Sequence, residues 1–148
     1  MAQYVKPTLE TKFHIDFDWW RQQGRDLSVH LRMLLCPEDQ ATHAGSPPRE
    51  IDWVSPDTGE VKRVDALWEV VHSHCSRQPE FIADHMPLTA AIFRAFVAND
   101  NAPLTPVELH QILGRKSASL ILGTIGGGQV YQGIKPVTMP VRKKKTVG

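Results

Sequence analysis

The chain has 148 residues, 41% of them hydrophobic and 22% charged, with a formal net charge of +1. That length holds one domain or two small ones and is enough to bury a core. No apolar run approaches the roughly 18 residues of a membrane span. The start, "MAQYVKPTLETKF", lacks a basic segment followed by an apolar stretch, so no signal peptide is expected. Two cysteines do not make a disulfide scaffold, and a reducing cytoplasm is the expected compartment.

Residues 1–12 read as an extended tail. "FHIDFDWWRQQG" opens with alternation: Phe13, Ile15 and Phe17 on one face, His14, Asp16 and Asp18 on the other. That is a strand signal, with Asp16 or Asp18 as alternative caps of a helix running from Trp19 towards Cys36 and divided at Gly24. In "DLSVHLRMLLC", Leu27, Leu31, Leu34 and Leu35 recur at helical spacing, Asp26 is the N-cap and Pro37 the stop. "PEDQATHAGSPPRE" is a loop by composition. Ile51, Trp53 and Val54 precede "SPDTG", and Val61 and Val64 follow it. Proline, Asp and Gly in that order are turn chemistry, so a β-hairpin is expected. Asp65 then caps "ALWEVVHSHCS", where Leu67, Val70, Val71 and His74 share a face. "RQPEFIADHM" is a connector. "PLTAAIFRAFVAND" is an amphipathic helix with Leu88, Ile92, Phe93 and Phe96 inward, ended by Asn99-Asp100-Asn101.

Beyond it, Thr105, Pro106 and Glu108 form a Ser/Thr-x-x-Glu capping box with proline in the first helical position. The helix so started carries Val107, Leu109, Ile112 and Leu113 and ends at Gly114. Ser117 caps a second helix, "ASLILGTI". After three glycines, Val130-Tyr131, Gln132-Gly133 and Ile134 are set out as a small hairpin. This order of helix, extended link, capped helix, glycine turn, helix and hairpin resembles the winged helix-turn-helix superfamily over about residues 86–138. The resemblance implies a presented helix from Ser117 to Ile125 and a wing from Gln129 to Lys135, the elements that such proteins lay on DNA.

The expected fold class is therefore α+β and mostly helical. It comprises an acidic helical and β-hairpin region over 1–84, a winged-helix-like domain over 85–138 and a basic tail over 139–148. Residues 1–84 carry nine basic and fourteen acidic side chains, a net of −5, and residues 85–148 carry eight and two, a net of +6. A cationic back half favours a polyanion. The expectation is a non-enzymatic binding protein that contacts nucleic acid, DNA or RNA, through its backbone. The residues for this are Arg115, Lys116, Ser117, Ser119, Thr124, Gln129, Tyr131, Lys135, Arg142, Lys143, Lys144 and Lys145. "SASLILGTI" has no side chain suited to reading base edges, so binding would be sequence-tolerant and salt-sensitive. The alternative is a protein–protein adaptor or complex subunit, with the winged module and the tryptophan-rich front as docking surfaces.

Cys36, His43, His72, His74 and Cys75 offer zinc-type ligands, and one arrangement pairs Cys36 and His43 with His72 and Cys75. The spacing Cys36-x6-His43 is wide and there is no Cys-x-x-Cys. Two buried structural cysteines are the favoured reading, with no cofactor. A His72–Cys75 nucleophile pair lacks an orienting group and an oxyanion site. Asp16 and Asp18 are read as solvated carboxylates on a strand face, and Trp19, Trp20, Trp53 and Trp68 as core and interface anchors. "GTIGGGQ" lacks the Gly-Lys-Ser/Thr ending of a phosphate loop.

Overall fold

The computed structural model describes residues 6–137, and these form an α+β arrangement dominated by helices. Strand β1 (Phe13–Ile15) is followed at once by helix α1 (Phe17–Gln22). Both readings of the opening segment hold in part. The alternation ends at Ile15, and the Asp16 carboxylate accepts from Asp18 N at 3.1 Å to cap the helix. Asp16 and Asp18 therefore do not share a strand face, as the alternation implied. Helix α2 (Leu27–Leu34) is capped by Asp26, and Gly24 separates it from α1 at a φ of +65°.

Where composition indicated a loop, the chain makes helix α3 (Pro37–His43). Pro37 ends α2 and also starts α3, since a fixed φ and a missing N–H suit a first helical position. Glu38 and Asp39 in the first turn favour the positive end of its dipole. Strands β2 (Glu50–Val54) and β3 (Val61–Asp65) form the expected antiparallel hairpin across "SPDTG", with Trp53 opposite Lys62. Asp65 accepts from Leu67 N at 2.8 Å and opens helix α4 (Leu67–Ser73), which a short 3₁₀ turn continues at Cys75–Arg77.

Helix α5 (Leu88–Ala98) buries Ile92, Phe93 and Phe96. It ends in two consecutive non-glycine residues of positive φ, Asp100 and Asn101, types that tolerate that region. The capping box of helix α6 (Pro106–Leu113) is complete, and Gly114 closes it at a φ of +67°. Ser117 accepts from Leu120 N at 3.0 Å to cap helix α7 (Ala118–Ile125).

The expected wing differs. Gln132 and Gly133 take the positive φ of a tight turn, but only a Tyr131–Ile134 bridge spans it. The outgoing strand, β4 (Ile134–Pro136), pairs antiparallel with β1, Ile15 opposite Ile134. Phe13 also bridges Leu104, in the link before α6. The partner of β4 is thus the first strand of the chain and not the segment before the turn. The core draws from both ends of the sequence: Phe13, Ile15, Trp68, Phe93, Phe96, Ile121 and Ile134 are all essentially inaccessible. All four tryptophans are buried, so they form core and do not present a docking surface. Trp53 and Trp68 both donate their indole N–H to the Asp100 carboxylate, at 3.0 and 2.9 Å.

Candidate functional site

Two places carry the side chains that the sequence singles out. The first is the α6–α7 pair and the turn before β4. Its named residues divide between structural and outward-facing roles. Arg115 donates to the backbone carbonyls of Ala83, Asp84 and Met86 and so fastens the connector that precedes α5. Lys135 forms a 3.1 Å ion pair with Asp16 of the front half. Ser117 is the cap of α7, and the Thr124 hydroxyl donates to Leu120 O at 2.9 Å. Tyr131 is half-buried. Lys116, Ser119 and Gln129 face solvent, Lys116 from a left-handed turn at a φ of +61°. Arg142, Lys143, Lys144 and Lys145 lie outside the described residues.

What this surface exposes besides is mainly apolar and small. Helix α7 contains no charged side chain. Its outward positions include Ser119, Leu120 and Gly123, and α6 exposes Val107, His110, Gln111 and Ile112. Ile112 is 47% and Leu120 48% accessible.

The second place lies where α3 meets the end of α4. Cys36 is the N-cap residue of α3 and Asp39 stands three residues on, within one helical turn. His74 and Cys75 are adjacent in sequence. Neighbours in a regular helix point about 100° apart, but the chain leaves helical geometry at His74, with φ −123° and ψ −62°. That break brings both side chains to the same spot. The result is a cluster of Cys36, Asp39, His74 and Cys75 whose sulfur, nitrogen and oxygen atoms all lie within 4.8 Å of one another.

Most of the distances are short. Cys36 Sγ and Cys75 Sγ are 3.1 Å apart, and Asp39 Oδ2 lies 3.4 Å from the first and 3.1 Å from the second. His74 Nδ1 is 2.6 Å from Asp39 Oδ2 and 3.8 Å from Cys36 Sγ. The Cys36 backbone N–H donates to Cys75 Sγ at 3.1 Å. The hydrogen bond from His74 holds the Asp39 carboxyl below the usual carboxylate range, and the same contact raises the imidazole. Burial, first of all, pushes the Cys75 thiol up to about 12.

The ligand set differs from the arrangement considered from sequence. Cys36 and Cys75 do meet, but His43 and His72 stay outside the cluster. His72 Nδ1 is 3.0 Å from the carbonyl of Val97. Asp39 is not among the candidates the sequence offers, because the composition of residues 37–50 indicates a loop. Its signal is the Cys36-Pro-Glu-Asp39 spacing, which only becomes meaningful once Pro37 starts a helix. Asp16 and Asp18 are each matched by a lysine, Asp16 by Lys135 and Asp18 by Lys62 at 2.8 Å, and form no carboxylate pair.

Comparison of the chain with family models, with curated proteins and with solved structures finds no match in any of the three.

Proposed function

We propose that this chain is a non-catalytic binding protein that docks a protein partner through the surface built by α6 and α7. The observation that carries this reading is the uncharged outward side of α7, where Leu120 stands exposed, together with exposed Ile112 on α6. Exposed large apolar side chains on two helices that pack together offer area that a protein partner can bury. The rigid capping of both helices presents that surface with little ordering cost on binding. Affinity capture from nuclease-treated native lysate tests it. The expected result is a partner that survives nuclease and is lost with Leu120→Glu and Ile112→Glu. A partner retained by both folded variants overturns the reading.

A second reading, nucleic-acid contact, is favoured by exposed Lys116 beside the start of α7, in a sequence whose back half nets +6 and includes the run Arg142 to Lys145. Arg115 and Lys135 are engaged elsewhere, so this reading leans on fewer cations than the sequence offers. It predicts sequence-tolerant binding of DNA or RNA probes that falls steeply with salt and with Lys116→Glu. Absence of binding to either probe at low salt removes it.

A further inference from the structure

We propose that Cys36, Asp39, His74 and Cys75 form a binding site for a tetrahedral transition-metal ion of the zinc class. The site joins the N-terminus of α3 to the end of α4, stands on its own geometry and is independent of how α6 and α7 are used.

The donor set is the first argument. Two thiols, one imidazole and one carboxylate are ligands that suit Zn²⁺, and hard, oxygen-preferring cations such as Mg²⁺ or Ca²⁺ do not select sulfur. The second is shape. Zinc bonds of about 2.3 Å to sulfur and about 2.0–2.1 Å to nitrogen or oxygen imply tetrahedron edges of about 3.3–3.8 Å. The Cys36–Asp39 and Cys36–His74 edges, 3.4 and 3.8 Å, already match. The shorter edges are His74–Asp39 at 2.6 Å, Cys75–Asp39 at 3.1 Å and Cys75–Cys36 at 3.1 Å, contacts made by protons that the groups share in the absence of a metal. A cation in place of those protons spreads these edges by about 0.4–0.8 Å. A covalent Cys36–Cys75 bond is a different species, since it needs sulfurs at about 2.03–2.05 Å.

The third argument is the surrounding support. The Cys36 N–H is directed at Cys75 Sγ, an interaction that stabilises the thiolate which a metal requires. Gln40 donates from its side chain to Leu35 O at 2.9 Å, across the start of α3. Arg32 donates to the carbonyls of His43 and Ser46, each at 2.8 Å, and fixes the other end of that helix. The short helix α3 is thus fastened at both ends to α2 and the residue that follows it. Four protein ligands close the coordination sphere, so the ion serves as a structural clip and leaves no position for a reacting water.

The test is addition of Co²⁺ to the reduced, metal-stripped protein, read by absorption, with Zn²⁺ as competitor. The expected result is one ion per chain, with thiolate-to-cobalt charge-transfer bands and the strong visible bands of a tetrahedral site, both bleached by Zn²⁺. His74 is half-exposed, so His74→Ala should leave the fold intact while abolishing the tetrahedral visible bands. Cys36→Ser should remove part of the charge-transfer intensity. His43→Ala, outside the cluster, should change neither. Cys75 is buried, and because Cys75→Ser can fail through folding it is not relied on. Reduced, folded protein that gives no thiolate bands with Co²⁺ overturns the proposal, and so does loss of the bands in His43→Ala with retention in His74→Ala.

Discussion

The side-chain amide of Asn101 hydrogen-bonds both backbone groups of Ile15, receiving from its N–H and donating to its carbonyl, each at 2.8 Å across 86 residues of sequence. Asn101 is 2% accessible and takes a φ of +60°. It acts as a one-residue strand that completes the edge of β1. Asn101→Ala leaves the Ile15 N–H and carbonyl buried without partners. The expected cost is about 2–6 kcal/mol in urea unfolding, from two orphaned groups at about 1–3 kcal/mol each. Asn101→Asp should lose similar stability, because a carboxylate cannot donate to Ile15 O. A loss under about 1 kcal/mol in both variants contradicts this account of the β1 edge.

Asp100 holds two indoles at once. Its Oδ1 atom receives Trp53 Nε1 from the β2–β3 hairpin and Trp68 Nε1 from α4. Asp100→Asn keeps an oxygen acceptor and a side chain that tolerates positive φ, so only a small loss is expected. Asp100→Ala should cost about 2–4 kcal/mol, through two unpaired indole donors and strain at a φ of +52°. Equal unfolding midpoints for the two variants contradict the shared-acceptor reading.

Much of this local structure was legible in the sequence. The Thr105–Glu108 box, the "SPDTG" hairpin and the Asp26 and Ser117 caps depend on residues a few positions apart, and each forms as expected. The β1–β4 pairing was not legible, because nothing local in "FHI" or "IKP" names a partner more than a hundred residues away. For the same reason Cys36 and Cys75 were visible as candidates while Asp39 and the convergence at His74 were not. Their meeting depends on α3 being a helix and on the backbone break after α4. The sign of the back half was legible, but not that Arg115 and Lys135 are taken up inside the fold.

Gly133 is the glycine whose replacement has the clearest consequence. It sits at a φ of +83°, and a Cβ there would lie 2.9 Å from Trp20 Nε1 and 3.1 Å from Asp16 O. Gly133→Ala therefore strains the backbone and pushes on the buried Trp20 ring. A loss of about 1–3 kcal/mol is expected in thermal or urea unfolding. Gly128→Ala is the control, since a Cβ there meets nothing within 4 Å. Equal effects at the two positions contradict the crowding at Gly133.

His30 gives a pH dependence of definite sign. Its ring lies 5.3 Å from Trp20 and 4.7 Å from Phe93. Burial first, then Arg25 and Arg94, holds it below its ordinary value of 6.5. The unfolded chain therefore takes up this proton more readily than the folded one. The contribution is fully present above about pH 6.5 and is lost as the pH falls through the folded-state value. His14 acts in the same direction, and His74, raised by Asp39, in the opposite one. The isolating measurement is therefore the difference between the parent chain and His30→Gln. Between about pH 7.5 and 5.5 the parent should lose more stability on acidification than the variant. Parallel curves contradict the assignment.

The most direct measurement of the central claim is X-ray absorption at the zinc edge on the zinc-loaded, reduced protein. Coordination by Cys36, Cys75, His74 and Asp39 predicts two sulfur scatterers at about 2.3 Å and two nitrogen or oxygen scatterers at about 2.0–2.1 Å. A first shell of nitrogen and oxygen alone contradicts it.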